Sequence, residues 1–215
     1  HLELSTELRA AQIFAVDNAM VGIEICEDLM APHAPSVRLA TDGAEIILNL
    51  SASHELAGKR AYRRELVKYQ SASCNCIYAY CSAGCTESTA DTVYCGQSLI
   101  GENGKLLAEN ELPVATDYML VQDCDLGKIR AERRRNTTFR NAAAIYGDAC
   151  QEVILGETAP RADGSLYPVQ KLPFIPSTAA ERKAFCLDVF QLQVTGLKQR
   201  LASIGGATAV IGISG

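Results

Sequence analysis

Cys26, Glu27 and Asp28 close the stretch Val21-Gly-Ile-Glu-Ile-Cys-Glu-Asp-Leu-Met30, and they carry this chain's clearest opportunity for covalent chemistry. Val21, Ile23 and Ile25 alternate with smaller or polar residues, the period-2 signal of a strand with that face buried. Pro32 and Pro35 then break the run, because proline cannot continue a ladder. Cys26 is thereby predicted at the carboxyl end of a strand, where α/β sheets gather their chemistry. A thiol there, with backbone N–H groups turning over it, suits acyl transfer beside an oxyanion site. The plainer alternative is packing, since cysteine is among the most buried residue types.

A thiol nucleophile also needs a base. Glu27 and Asp28 are too close in the chain to be an obvious one, and His33 and His54 read as loop histidines. The 25 residues ahead of Cys26 hold Glu3, Glu7 and Glu24 but no Lys. A second polar constellation is Asn49-Leu-Ser-Ala-Ser53 followed by Gly58-Lys59. A hydroxyl at a strand end and a cation at a helix start can grip the α-carboxylate of an amino acid. Read plainly, Ser51 or Ser53 is a cap or turn residue and Lys59 a solvated charge. Cysteines 74, 76, 81, 85 and 95 follow no paired C-x2-C knuckle, so they read as structural thiols rather than zinc ligands. Arg130, Arg133, Arg134 and Arg135 lack interleaved aromatics and read as a solvated or subunit-contact face rather than an RNA patch.

The elements that must position these groups follow the chain. Ile13-Phe-Ala-Val, the turn Asp17-Asn18 and the Cys26 strand predict a hairpin. Ser36 to Thr41 predicts a short helix, and Glu45 to Ser51 a buried strand. Gly58 to Ser73 predicts a longer helix with Tyr62, Leu66 and Tyr69 on one apolar face. Cys76 to Cys81 returns as a strand, an alternation that implies parallel pairing. Gly96–Ile100 and Lys105–Ala108 flank an Asn103-Gly104 hairpin turn, and Tyr118–Gln122 predicts another strand. Asp125 caps a basic helix through Arg135. Residues 141–176 are proline-rich and without period, an expected linker. Thr178 and Glu181 form a capping box before a helix whose apolar face is Cys186, Phe190, Val194, Leu197, Leu201 and Ile204. Gly205-Gly206 stops that helix, and Ala209–Gly215 predicts a buried strand running into a Ser-Gly turn.

With 48% hydrophobic and 21% charged residues, the chain is of ordinary globular composition. Its apolar runs are too short to span a bilayer, which argues against a membrane protein. Nine cysteines, an odd number in no small-secreted-domain pattern, predict reduced thiols and a cytoplasmic setting. A formal charge of −5 argues against general nucleic-acid binding.

Gly22-Ile-Glu-Ile-Cys-Glu-Asp-Leu resembles the nucleophile segment of the nitrilase-type glutaminase domain of glutamine-dependent NAD synthetases, which usually have Trp where this chain has Met30. Asn49–Ser53 with Lys59, the loop Glu87-Ser-Thr-Ala-Asp91 and the Arg-rich segment are similar to further parts of that domain. Ile211-Gly-Ile-Ser-Gly215 is similar to the opening of the S-G-G-x-D-S pyrophosphatase loop of the synthetase domain, without its second Gly, its Asp and its second Ser.

The resemblance implies an α/β fold: the C-terminal half of a nitrilase-like αββα sandwich, then a helix and strand opening an ATP-pyrophosphatase Rossmann-like domain. Its implied divisions are a partial glutaminase domain over 1–140, a linker over 141–177 and the start of the synthetase domain over 178–215. It implies Cys26 as nucleophile, Ser53 and Lys59 as glutamine-binding residues, and Gly212, Ile213, Ser214 and Gly215 as part of an ATP loop. Glu27 would meet the glutamine α-ammonium or lend its backbone N–H to the oxyanion, and both roles stay open. The implied small molecules are glutamine, deamido-NAD and ATP with magnesium, none expected to bind this stretch tightly, and the implied assembly is a homo-oligomer. The family's Glu base and Lys lie upstream of its nucleophile, so these 215 residues alone are expected to perform neither step. The alternatives are another nitrilase-type amidase and a non-catalytic fragment that binds a partner.

Overall fold

Asp17 and Asn18 close a hairpin between β1 (Gln12–Val16) and β2 (Ala19–Ile25), paired antiparallel from Ile13↔Gly22 to Val16↔Ala19. Asp17 takes this turn at φ 50°, in the left-handed region that Asp tolerates better than most residues. The computed structural model describes residues 11–84, 87, 94, 96–111, 118–145, 150–156, 171–172, 174–203, 205, 208, 210 and 212.

From β2 the chain passes through a 3₁₀ segment (Cys26–Met30) into α1 (Pro35–Thr41), β3 (Ile46–Ser51), α2 (Lys59–Ser73) and β4 (Ile77–Ser82). β2, β3 and β4 are parallel neighbours, as the strand–helix alternation predicts. β5 (Ser98–Glu102) and β6 (Lys105–Glu109) form the expected hairpin, with Asn103 at φ 44° and Gly104 at φ 87° in its turn. α3 (Leu126–Arg135) starts on the Asp125 cap, and α4 (Thr137–Ala143) follows at once. Among the described residues seven strands form one sheet, in the order β6-β5-β4-β3-β2-β1-β7.

The seventh strand corrects the expectation that 141–176 is irregular. β7 (Gln151–Gly156) lies parallel to β1 at the sheet edge. All its residues except Val153 are exposed, so backbone pairing places it and leaves no apolar period to read. The strand expected over Tyr118–Gln122 is absent, for those residues carry no ladder. Tyr118, Met119 and Leu120 instead line a groove with Leu48, Leu50, Ala79 and Ile100.

Which faces are buried also differs from the sequence reading. On β2 the covered side chains are Gly22 and Glu24, whereas Ile25 is 62% exposed and Ile23 is exposed too. α1 decides this by lying directly over Gly22, where a Cβ would stand 3.1 Å from Leu39 Cβ and from Ile47 Cδ1. Only glycine admits so close a helix. The same face continues through Ile47, Tyr78 and Leu99, which form the core with Val67 of α2. The opposite face of these strands shows Ile25, Leu50 and Cys81 to solvent. α2 is rotated in the same sense. It buries Arg63, Val67, Gln70 and Ser71, and leaves the expected core residues Tyr62 and Tyr69 51% and 69% exposed, with Leu66 half-buried.

Two compact units divide the chain, residues 1–167 and 168–215. The second holds α5 (Ala179–Ser203). Its capping box is formed in both directions, Thr178 N–H to Glu181 Oε2 at 3.1 Å and Glu181 N–H to Thr178 Oγ1 at 3.2 Å. Gly205, at φ 73°, takes the left-handed position beyond the helix end. Of the face expected to be apolar and covered, Val194 and Leu201 are half-buried while Cys186, Phe190 and Leu197 are exposed, and Ile204 lies outside the described residues. The strand expected over Ala209–Gly215 lies almost wholly outside the described residues, which there include Val210 and Gly212 alone. Among the described residues no helix is long and apolar enough to cross a membrane.

Candidate active site

Cys26 is the first residue after β2 and takes φ 53°, a left-handed conformation that costs a non-glycine residue on the order of 1–2 kcal/mol. The chain bends there from strand into 3₁₀ helix. Asp28 holds the bend from below, its Oδ2 accepting the Ile25 N–H at 2.8 Å. Cys26 is half-buried, Glu27 is exposed, and the turn projects past the carboxyl edge of the sheet.

β3 runs parallel to β2 with Ile25 opposite Leu50, so its own end arrives beside the thiol. Ser51 Oγ donates to Cys26 Sγ at 3.4 Å and accepts from Tyr80 Oη of β4 at 2.9 Å. Two neighbouring parallel strands, β3 and β4, thereby each contribute one side chain to a line that ends on the sulfur just beyond β2. Behind it runs a second, buried line. Asn49 Nδ2 donates to the Cys26 carbonyl at 3.3 Å and to Tyr78 Oη at 3.1 Å, and Tyr78 Oη donates to Glu24 Oε1. The other oxygen of Glu24 accepts the Ser36 N–H at the start of α1 at 2.8 Å. Burial, reinforced by the charge of Glu24, pushes the Tyr78 phenol far up, so it stays a donor.

Beyond Ser51 the chain turns into the loop that leads to α2. Ser53 is buried, its N–H donating to Ser82 Oγ at 3.3 Å and its Oγ accepting from Arg63 Nη2 at 3.4 Å. Arg63 is wholly buried and also donates to Glu55 Oε2 at 2.7 Å, Gln97 Oε1 at 2.9 Å and the His54 carbonyl at 3.1 Å. Lys59 opens α2, half-buried, one residue after Gly58 at φ 83°. Cys26 and Ser51 are therefore in contact, while Ser53 and Lys59 share the same sheet edge through the β3–α2 loop. His33 and His54 are exposed, the latter bridged to Tyr94. Of the Glu87–Asp91 loop only Glu87 lies within the described residues, and it is exposed.

Glu24, Tyr78, Tyr80 and Arg63 went unassigned in the sequence reading. The signal was a polar residue repeated at the second position of each buried strand face, Glu24 after Gly22 and Asn49 after Ile47. The Arg-rich segment is corrected at two positions. Arg130 pairs with Glu45, Nη2 to Oε2 at 2.8 Å. Arg133 donates to the carbonyls of Asn75 at 2.8 Å, Ala44 at 2.6 Å and Cys74 at 3.2 Å, with Phe139 stacked 4.9 Å from its guanidinium. Both tie helix α3 to the sheet, Arg133 largely covered and Arg130 still partly in solvent. Cys74 and Cys76 are buried, Cys81 is exposed, and Cys85 and Cys95 lie outside the described residues.

Comparison with known proteins adds a family. The model of the carbon-nitrogen hydrolases matches residues 4–134. A glutamine-dependent NAD(+) synthetase of Mycobacterium tuberculosis is 36% identical over 197 residues, which are 90% of this chain and 29% of that protein. One of Homo sapiens is 33% identical over 126 residues, 58% of this chain and 17% of that protein. The chain thus spans under a third of the length of these relatives. Among solved structures, a glutamine-dependent NAD(+) synthetase from Cytophaga hutchinsonii is 34% identical with a TM-score of 0.41, covering 47% of this chain and 16% of that one. A carbon-nitrogen hydrolase from Helicobacter pylori is 18% identical with a TM-score of 0.47, covering 57% and 45%.

Proposed function

The chain belongs to the carbon-nitrogen hydrolase family, and from that premise we propose that it carries the nucleophile of a glutamine-dependent NAD synthetase. The observation that supports this most is the placement of Cys26. It lies inside the family match, at a strand end, in a left-handed turn, with a hydroxyl donating to its sulfur.

In this reading the Cys26 thiolate attacks the side-chain amide carbon of glutamine, and the carbonyl electrons move onto oxygen. The backbone N–H of Glu27, next after the nucleophile, meets that oxyanion. Collapse expels ammonia, with a proton delivered to the leaving nitrogen, and leaves a thioester on Cys26. Water hydrolyses the thioester to glutamate and regenerates the thiol. Ser53 and Lys59 hold the α-carboxylate of glutamine. The general base and a lysine come from residues outside this stretch, as the resemblance implies. The ammonia serves the ATP- and magnesium-dependent amidation of deamido-NAD in a second domain that begins near residue 178 and whose ATP loop opens at Gly212–Gly215. The parent protein is a cytoplasmic homo-oligomer in this reading.

Two measurements test it. The full-length protein should release ammonia from glutamine, and Cys26→Ala should abolish that release; release undiminished by Cys26→Ala overturns the assignment. These 215 residues alone should release none, and ammonia above a Cys26→Ala control would show that the upstream groups are dispensable.

A further inference from the structure

We propose that Asn49, Tyr78 and Glu24 form a buried positioning relay whose task is to aim the oxyanion donor of the Cys26 turn. The proposal rests on the reading of Cys26 as the nucleophile.

The peptide between Cys26 and Glu27 is planar, with its C=O and N–H pointing in opposite directions. Whatever fixes the Cys26 carbonyl therefore fixes the Glu27 N–H. Asn49 Nδ2 takes that carbonyl at 3.3 Å, from the neighbouring strand. The carboxamide has no freedom to turn over, because its second proton goes to Tyr78 Oη at 3.1 Å. Tyr78 accepts there only because its own proton goes to Glu24. Glu24 is in turn anchored by the Ser36 N–H at 2.8 Å, and Ser36 Oγ by Gln70 Nε2 of α2 at 2.9 Å. Each group thus has one assignment of donor and acceptor, running from a carboxylate to the turn.

Glu24, Ser36, Asn49 and Tyr78 are all 2% exposed or less. A buried carboxylate is an expensive way to fill a strand face that apolar residues would fill better. What it supplies is direction: an acceptor that orders the phenol, which orders the amide. Cys26, at φ 53°, sits in a conformation that unaided backbone seldom holds. None of the three relay residues is assigned a contact with substrate, so they act through the Cys26–Glu27 peptide.

The test uses the full-length protein and three variants, Asn49→Ala, Tyr78→Phe and Glu24→Gln. Steady-state glutamine hydrolysis is read beside the rate at which iodoacetamide alkylates Cys26. Alkylation is displacement at a methylene carbon and forms no oxyanion, so it reports thiol access and ionisation alone. Removing an oxyanion donor outright costs about a hundredfold to a thousandfold in turnover. A misaimed donor should cost Asn49→Ala about tenfold to a hundredfold in kcat, with KM and alkylation each within about threefold of wild type. Tyr78→Phe and Glu24→Gln, further along the relay, should lose less, and Tyr78→Phe should add little on the Asn49→Ala background, because the residues act as one unit. A kcat within about twofold of wild type in all three variants overturns the relay. So does a loss of kcat matched by an equal loss of alkylation, which marks collapse of the turn. Wild-type hydrolysis that survives Cys26→Ala overturns the underlying reading, and the relay's purpose with it.

Discussion

Arg63 has no exposed surface, yet it belongs to a helix segment, Lys-Arg-Ala-Tyr-Arg-Arg, in which the spacing put Tyr62 on the covered face. Its partners lie far off in sequence: Gln97 is 34 positions away, and Glu55 and Ser53 belong to the preceding loop. A periodicity argument sees only apolar spacing, so it turned α2 toward Tyr62 and Tyr69 and left the buried guanidinium illegible. Truncating wholly buried Arg63 empties its volume and leaves buried Gln97 and Ser53, together with partly exposed Glu55, without their donor. Arg63→Ala should therefore lower unfolding stability by about 3–5 kcal/mol in urea titration, well beyond a surface change. Glu109 makes a pH-dependent counterpart. Burial alone would raise its carboxyl, but hydrogen bonds from Arg64, Arg60 and Gln97 outweigh it and hold the group below its ordinary value of 4.5. A depressed folded-state value means that the stabilisation is complete above the unfolded value and fades as pH falls through the folded one. The stability gap between wild type and Glu109→Gln should be full at pH 7 and shrink progressively below pH 4.5, read by denaturant titration across that range. By contrast Cys26 was legible, because a thiol, a strand end and two prolines are local facts.

Strands and helices were legible where their signals are local, and their faces were not. The hairpin turns, the Asp125 cap and the Thr178–Glu181 box all depend on residues within four positions, and all are present. β2 was found in place but turned over, because a glycine and a glutamate do not announce a buried face. The reason lies in α1, whose close approach demands Gly22 and whose first N–H groups want a carboxylate. β7 escaped because it pairs with a strand more than a hundred residues away and buries almost nothing. The Asp125 cap admits a direct check. Its Oδ1 accepts the Lys128 N–H at 3.0 Å, while its own N–H donates to buried Glu102 at 2.8 Å. Asp125→Ala removes the first bond and keeps the second, so it should cost about 1 kcal/mol and fray the start of α3. Faster amide exchange confined to the first turn of α3 would be the accompanying signature. A loss above about 3 kcal/mol would mean that the side chain does more than cap.

Among the described residues the sheet is covered on one side by α1 and α2, and on the other Tyr118, Met119 and Leu120 flank a groove over β3, β4 and β5 that leaves the rest of that side open. The open side is apolar: Ile25 and Leu50 show more than half their surface, Ile23 is exposed, and Cys81 stands beside them on β4. Monomeric proteins seldom leave so contiguous an apolar face in water, and the chain spans only 29% of the length of its mycobacterial relatives. In the sandwich that the resemblance implies, this is the side that a second sheet would cover. Cys81 reports on it. In these 215 residues alone its exposed thiol should be alkylated in the folded protein, while buried Cys76, just ahead of the same strand, stays unreacted until the protein unfolds. Extending the chain upstream should slow Cys81 at least tenfold and leave Cys76 unchanged, with both sites followed by mass spectrometry of the digested protein. Equal alkylation of Cys81 in the short and extended chains would mean that the open face stays in solvent and that the added chain packs elsewhere. The reading of Cys26 as the nucleophile makes the same demand from the opposite direction. Cys26 stands where β2 ends, with its sulfur toward Ser51, and the base of that reading lies outside this stretch. Protection of Cys81 and gain of Cys26-dependent glutamine hydrolysis should therefore appear together as the chain is lengthened, since one packed layer is asked to supply both.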